Sequence, residues 1–291
     1  MQTNPKALVA AALLATVGMA QAGTAYVTSE KDDALTLIDT ATLAVKGTIK
    51  SCKRTRHIQR MPDGKLMVAC TDSNAADIID PASGQSLRRV SLGDEPEAFD
   101  LSPDGKTIYV SNEDEGAASF VDAATGKVLK SVKVGEEPEG VKVSADGKTL
   151  YVTSEVASLV HVIDTASGKV TKNVKVGKRP RRMAITPDGK ELWVTSELDA
   201  SVSIISTADH SVIGRVPFEV KGARAEDITP VGITMTKDGK RAWNVTLDKA
   251  EKQLWVINGM SDDVTVVDTA SAKALKSVPV GRVPYGLVIV E

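Results

Sequence analysis

Carboxylates recur at a fixed place in this chain, and they are the first residues whose type and spacing could do chemistry. Glu30, Glu113, Glu155 and Glu197 each stand four residues beyond an aromatic residue, namely Tyr26, Tyr109, Tyr151 and Trp193. A second recurring set follows a proline by one residue: Glu97, Glu139, Arg181 and Tyr285. Further charges lie close by in sequence. Glu95, Glu136 and Glu137 extend an acidic sector, Lys178, Arg179 and Arg182 a basic one, and Arg54, Arg56, His57, Arg224 and Arg282 add basic character before and after. Carboxylates and guanidinium groups gathered on one surface could hold an anionic cofactor, dock a charged partner, or neutralise one another across neighbouring units. Carboxylates such as Glu113 and Glu155 could instead coordinate a hard cation in an enzyme. The candidate ligand- or partner-binding residues are therefore Arg56, His57, Glu113, Glu155, Arg181, Arg182, Glu197 and Arg282.

Catalytic signatures are missing from the sequence. There is no Gly-x-Ser-x-Gly elbow, no His-Glu-x-x-His, no phosphate-cradling glycine loop and no Cys-x-x-Cys-His for covalent haem. Of the three histidines, His161 falls within a strand pattern and His210 in a turn, which leaves His57 beside the charged set. No residue is expected to be catalytic and no metal is expected, because the two cysteines and a lone histidine are too few for a zinc site. Cys52 sits in a connector and Cys70 ends the following strand, so a strand running down and back places both on one face. That arrangement allows a disulfide if their Cα atoms come within about 7 Å, with two free thiols as the alternative.

These residues are positioned by a repeat. Tyr26-Val-Thr-Ser-Glu, Met67-Val-Ala-Cys-Thr, Tyr109-Val-Ser-Asn-Glu, Tyr151-Val-Thr-Ser-Glu and Trp193-Val-Thr-Ser-Glu follow one another at steps of 41, 42, 42 and 42 residues. Asp39, Asp80, Asp122 and Asp164, and then Ser206, follow 13 residues after each. Within one unit, four strand-like segments with period-two apolar alternation are separated by turn residues, and Asp63, Asp104, Asp146, Asp188 and Asp238 each open an Asp-Gly hairpin. Four short strands in about 42 residues are the measure of a β-propeller blade. The predicted fold is an all-β single propeller of four-stranded antiparallel blades, six favoured and seven possible. Its ring is closed by pairing the N- and C-terminal strands, since the chain opens on second-strand sequence and ends on the first-strand sequence Tyr285–Glu291. The last quarter is irregular, with an excess around residues 221–228 and Trp243 only 12 residues before Trp255.

Composition and leader bound the setting. With 42% hydrophobic residues, 25% charged residues and a formal net charge of -2, the chain is ordinary for a globular domain and has no bulk charge to draw it to nucleic acid. Residues 1–22 carry Lys6, an apolar run and Ala20-Gln21-Ala22, which reads as a cleaved export signal ahead of a single domain over residues 23–291. Stable membrane insertion is not expected after cleavage, and the predicted location is periplasmic or secreted.

The Tyr-Val-Thr-Ser and Tyr-Val-Ser-Asn strands, Val-Gly-x-x-Pro connectors and Asp-Gly-Lys hairpins resemble the YVTN family of β-propeller repeats over nearly all of residues 24–291. The cysteine pair and the ending Val280-Gly-Arg-Val-Pro-Tyr-Gly are similar to the propeller proteins associated with PQQ-dependent catabolism. That resemblance implies a periplasmic binding or scaffold protein, an accessory of PQQ-dependent alcohol oxidation. Its partner would be a quinoprotein dehydrogenase or a transport component, and PQQ would be associated through that partner. The balance leans away from an enzyme. The alternatives are a lactonase-like or quinoprotein-like enzyme with its site at the channel mouth, and a structural cell-envelope repeat protein.

Overall fold

The computed structural model describes residues 23–291 apart from residues 220, 223, 225–226, 237–240 and 244. Residues 1–22, read as the export signal, and Asp238, read as a hairpin residue, lie outside the described residues. Among the described residues no helix is long and apolar enough to cross a membrane.

Period-two alternation becomes six four-stranded antiparallel blades and one two-stranded sheet, each running from an inner strand at the axis to an outer edge. Blade 1 is built from Pro284–Val290, Thr24–Ser29, Ala34–Asp39 and Val45–Lys50, and blade 2 from Thr55–Arg60, Leu66–Cys70, Ala75–Asp80 and Gln85–Ser91. Blade 3 comprises Pro96–Leu101, Thr107–Asn112, Ala117–Asp122 and Val128–Lys133, and blade 4 comprises Pro138–Val143, Thr149–Ser154, Leu159–Asp164 and Lys169–Lys175. Blade 5 comprises Pro180–Ile185, Glu191–Ser196, Ser201–Ser206 and Val212–Pro217, and blade 6 comprises Val245–Leu247, Gln253–Asn258, Asp263–Asp268 and Lys273–Pro279.

The irregular last quarter has a simple form. Ile233–Met235 pairs with Arg241–Trp243 as a two-strand sheet between blades 5 and 6, so Trp243 and Trp255 are both second-strand residues of different sheets. The six complete blades are as expected, and the ring carries this half-blade in addition.

Ring closure follows the predicted route. The strand Pro284–Val290 pairs antiparallel with Thr24–Ser29, matching Thr24 to Val290 and Val27 to Leu287. The core lies between blades rather than within them. Met67, Ile78 and Val90 of blade 2 pack with Phe99, Ile108 and Val110 of blade 3, and Trp255 and Val266 of blade 6 pack with Ala25, Val27 and Ile38 of blade 1. A single blade has no sealed interior, so burial by its neighbours supplies the hydrophobic drive. The repeated aspartates fix the turns: Asp39 accepts the amides of Ala41 and Thr42, and Asp146 accepts that of Lys148.

Candidate functional site

In blades 1 to 5 the inner strand opens on a connector whose last residue has a left-handed backbone: Arg54, Glu95, Glu137, Arg179 and Val283, with φ of 54°, 43°, 52°, 53° and 51°. Such a conformation is costly for a side-chain-bearing residue and persists where surrounding bonds enforce it. Here the carbonyl of each accepts an amide from the loop beyond the second strand. Glu30 donates to Val283, Thr71 to Arg54, Glu113 to Glu95, Glu155 to Glu137 and Glu197 to Arg179, at 3.0–3.1 Å. One repeated hydrogen bond thus ties the loop glutamates to the connectors.

The residues just after the connector are set by a second repeated device. The register between inner and second strands breaks there: Pro138 faces Ser154 but Val141 faces Val152, and Pro180 faces Ser196 but Met183 faces Val194. A bulge of this kind re-aims side chains, and it holds Glu139 in one blade and Arg181 and Arg182 in the next. The threonine of the Tyr-Val-Thr-Ser repeat fills the gap. Thr153 Oγ1 accepts the Gly140 amide at 2.6 Å and donates to the Arg181 carbonyl of the next blade at 2.9 Å. Thr28 does the same with Gly286 and Arg56, Ser111 with Ala98 and Glu139, and Thr195 with Arg182 and Val231. Blade 2 has Ala69 at that place and lacks the link.

The side chains so aimed form a belt at one end of the channel. Arg181 pairs with Glu139 at 3.2 Å, with Glu197 at 3.6 Å and closely with Glu155. Arg182 pairs with Glu139 at 3.2 Å and contacts the Tyr285 hydroxyl, which donates to Glu139 at 2.9 Å. Arg179 joins Glu155 at 2.6 Å and Glu197 at 3.3 Å. Across the channel, Arg56 contacts Glu97 closely, lies 3.5 Å from Glu30 and covers the Tyr285 ring at 4.5 Å. Arg54 reaches Glu30 at 3.4 Å and Glu95 at 3.3 Å.

Of the sequence candidates, Arg56, Glu113, Glu155, Arg181, Arg182 and Glu197 therefore share one end of the channel. His57 sits just inside it, edge-on to Phe99 with ring centroids 4.7 Å apart. Arg282 does not join them: it pairs with Asp32 at 2.8 Å and is largely exposed at the periphery. The acidic and basic sectors are not separate either, because Arg179, Arg181 and Arg182 are interleaved with Glu139, Glu155 and Glu197. Cys52 and Cys70 are disulfide-bonded with Cα atoms 5.6 Å apart, which clamps the connector that carries Arg54 and leads into the strand of Arg56.

Burial and charge tune the titrating groups. Burial works against ionisation of Glu139, but Arg182, Arg181 and Arg56 outweigh it and hold the carboxyl down at about 2. Burial pushes the Glu155 carboxyl up, against the pull of Arg181. Glu113 is also raised, by burial and then by Glu139. Burial, followed by the repulsion of Arg182, takes His57 down to about 3, so the ring is neutral near neutral pH.

Inside the belt lies a cavity of about 500 Å³ on the propeller axis. Every inner strand contributes to it, from His57 and Phe99 through Val141 and Met183 to Ile233, Val245 and Leu287. Its polar groups include Arg181, Arg182 and an ion pair between the half-buried Lys142 and the buried Asp100 at 3.0 Å. Gln59, Asp100 and Lys142 were not flagged by the sequence. Their signal was their shared place five residues after the connector residues Arg54, Glu95 and Glu137, occupied by residues of unlike type.

A ring of blades with paired charges at one end of its channel and a polar-edged cavity below defines a β-propeller with a channel-mouth site. The chain belongs to the YNCE-like beta-propeller family, whose model matches residues 19–186. No protein of curated function matches it in sequence. Among solved structures, it is similar to Kuenenia stuttgartiensis hydrazine synthase, at 24% identity over 90% of this chain and 85% of that one with a TM-score of 0.67. It is also similar to the periplasmic gluconolactonase of Pseudomonas aeruginosa, at 19% identity over 92% and 99% with a TM-score of 0.73. A protein from Desulfotomaculum acetoxidans matches at 14% identity over 92% and 99% with a TM-score of 0.78. At these identities the likeness is one of fold.

Proposed function

We propose that this chain is an exported binding module that takes a small carboxylate-bearing organic molecule into its channel mouth and serves a PQQ-dependent oxidation system as an accessory. The observation that carries the reading is the axial cavity of about 500 Å³, a size suited to one small molecule, with apolar walls and two guanidinium groups at its rim. Arg181 and Arg182 are held by the bulges of their strand and would exchange part of their pairing with Glu139 and Glu155 for a ligand carboxylate. PQQ, a flat quinone bearing carboxylates, has the chemistry for such a site. A quinoprotein dehydrogenase or a transport component would meet the same rim. The bonded Cys52–Cys70 pair agrees with an oxidising compartment outside the cytoplasm.

The test is titration of the purified protein with PQQ, followed by absorbance and calorimetry. Saturable binding weakened at least tenfold in Arg182→Gln supports the reading, and absence of binding overturns it for this ligand. A lactonase-like activity is the second reading, favoured by Glu113, a half-buried carboxylate with a raised pKa beside the mouth. Hydrolysis of a sugar lactone, lost in Glu113→Gln, would replace the first reading with the second.

A further inference from the structure

On one side of the channel mouth the charges balance, and on the other they do not. Glu139, Glu155 and Glu197 face Arg179, Arg181 and Arg182, three against three. Opposite them, Glu30, Glu95, Glu97 and Glu113 have only Arg54 and Arg56 among the described residues, four against two. Leaving out two exposed carboxylates, Asp72, which also lies 3.5 Å from Arg54, and Asp114, which shares a hydrogen bond with Glu95, the four glutamates keep a surplus of two negative charges. Three of these carboxylates converge: one oxygen each from Glu95, Glu97 and Glu113 all lie within 4.8 Å of one another.

Glu97 supplies an independent sign of what would sit there. Its side chain is fully buried, and the Arg56 guanidinium takes only Oε2. Neither oxygen has a hydrogen-bond partner among the described residues, and Oε1 lacks the Arg56 ion pair as well, although an ionised oxygen shut away from water is costly to leave unmatched. The backbone is fixed as well, since the Glu113 amide donates to the Glu95 carbonyl at 3.1 Å and Glu95 itself is the left-handed residue of its connector.

We propose that Glu95, Glu97 and Glu113 form a binding site for a divalent cation, with calcium favoured over magnesium. All three ligands are hard oxygens and a 2+ ion matches the surplus charge. Calcium accepts six to eight oxygens at about 2.3–2.6 Å in flexible geometry, which suits three carboxylates brought together by a connector and a loop, whereas magnesium requires a near-ideal octahedron and gives up its water reluctantly. Water would complete the shell on the open side. Glu113 was legible in the sequence as a ligand for a hard cation, but its partners Glu95 and Glu97 were not, because the hairpin of Pro96–Leu101 and Thr107–Asn112 separates them from it.

The probe is calcium chloride, titrated by calorimetry into the purified protein after treatment with a chelator. The expected result is one saturable site with Kd at or below about 10⁻³ M, the range of extracellular calcium modules, and binding at least tenfold weaker for magnesium. Glu113→Gln is the informative variant, because no ion pair of the belt depends on Glu113, and it should weaken calcium binding at least tenfold while the protein stays folded. Glu136→Gln, an exposed carboxylate on the next connector, should bind calcium as the parent does. A parent protein with no saturable calcium binding up to about 10 mM overturns the site, as does a Glu113→Gln variant that binds equally well. So does an equal loss in Glu136→Gln, which would point to a diffuse field. This outcome is independent of whether the axial cavity takes PQQ.

Discussion

Replacing Glu139 by glutamine tests whether the belt is a structural keystone. The substitution keeps the shape and an acceptor for the Tyr285 hydroxyl, but leaves Arg182 without its carboxylate partner in a buried setting. A carboxyl held at about 2 in the folded protein against an ordinary 4.5 contributes about 3 kcal/mol to stability. That contribution is complete above the unfolded value of 4.5 and is lost as pH falls through it towards about 2. Breaking one partner of a buried pair carries a similar cost, about 3 to 5 kcal/mol. Urea unfolding followed by the fluorescence of the buried Trp193 and Trp255 reads the difference. The variant should be less stable by about 3 kcal/mol at pH 7 and by only about 1 kcal/mol at pH 3. A deficit below about 1 kcal/mol at pH 7, or one equally large at both pH values, would refute the assignment of Glu139 as an ionised, desolvated partner of the arginines.

Three further outcomes follow from the same geometry. Thr153→Val removes a buried hydroxyl that bridges two blades and should cost about 1 to 3 kcal/mol in urea unfolding, whereas Thr171→Val on the outer strand of the same blade should cost less. Replacing Cys52 and Cys70 together by serine opens a link spanning 18 residues and should cost about 3 kcal/mol; equal melting of the parent with and without reductant would contradict it. Gly286→Ala would put a methyl group 2.8 Å from the Arg56 carbonyl of the neighbouring blade, and a loss of about 1 to 3 kcal/mol is expected from the forced shift, measured as a lowered melting temperature.

What the sequence made legible was local. The Asp-Gly hairpins and the aspartates at Asp39, Asp80, Asp122 and Asp164 act on amides two or three residues away, so their spacing alone announces the turns. The aromatic and β-branched second strands announce the sheets in the same way. The site was legible as a set of positions but not as a set of partners. Glu139 meets Tyr285 across a separation of 146 residues, a contact that exists only once the ring curvature is fixed. The threonine of the repeat looked like ordinary strand composition, because its work lies in the carbonyl of another blade. The half-blade was legible only as the seventh blade left possible beside the favoured six: two second-strand patterns 12 residues apart do not say which sheets they belong to.

The strand Pro284–Val290 both closes blade 1 and delivers Tyr285 to Glu139, Arg56 and Arg182. Synthesis order then matters. Thr24–Ser29 is made first yet keeps an unpaired inner edge until the last strand arrives, which is the exposed-edge state most open to wrong pairing. Assembly and competence are thereby one event: a ring that has failed to close also lacks the phenol at the centre of its charged belt. A partner that recognises the finished mouth would be inspecting the integrity of the whole circle.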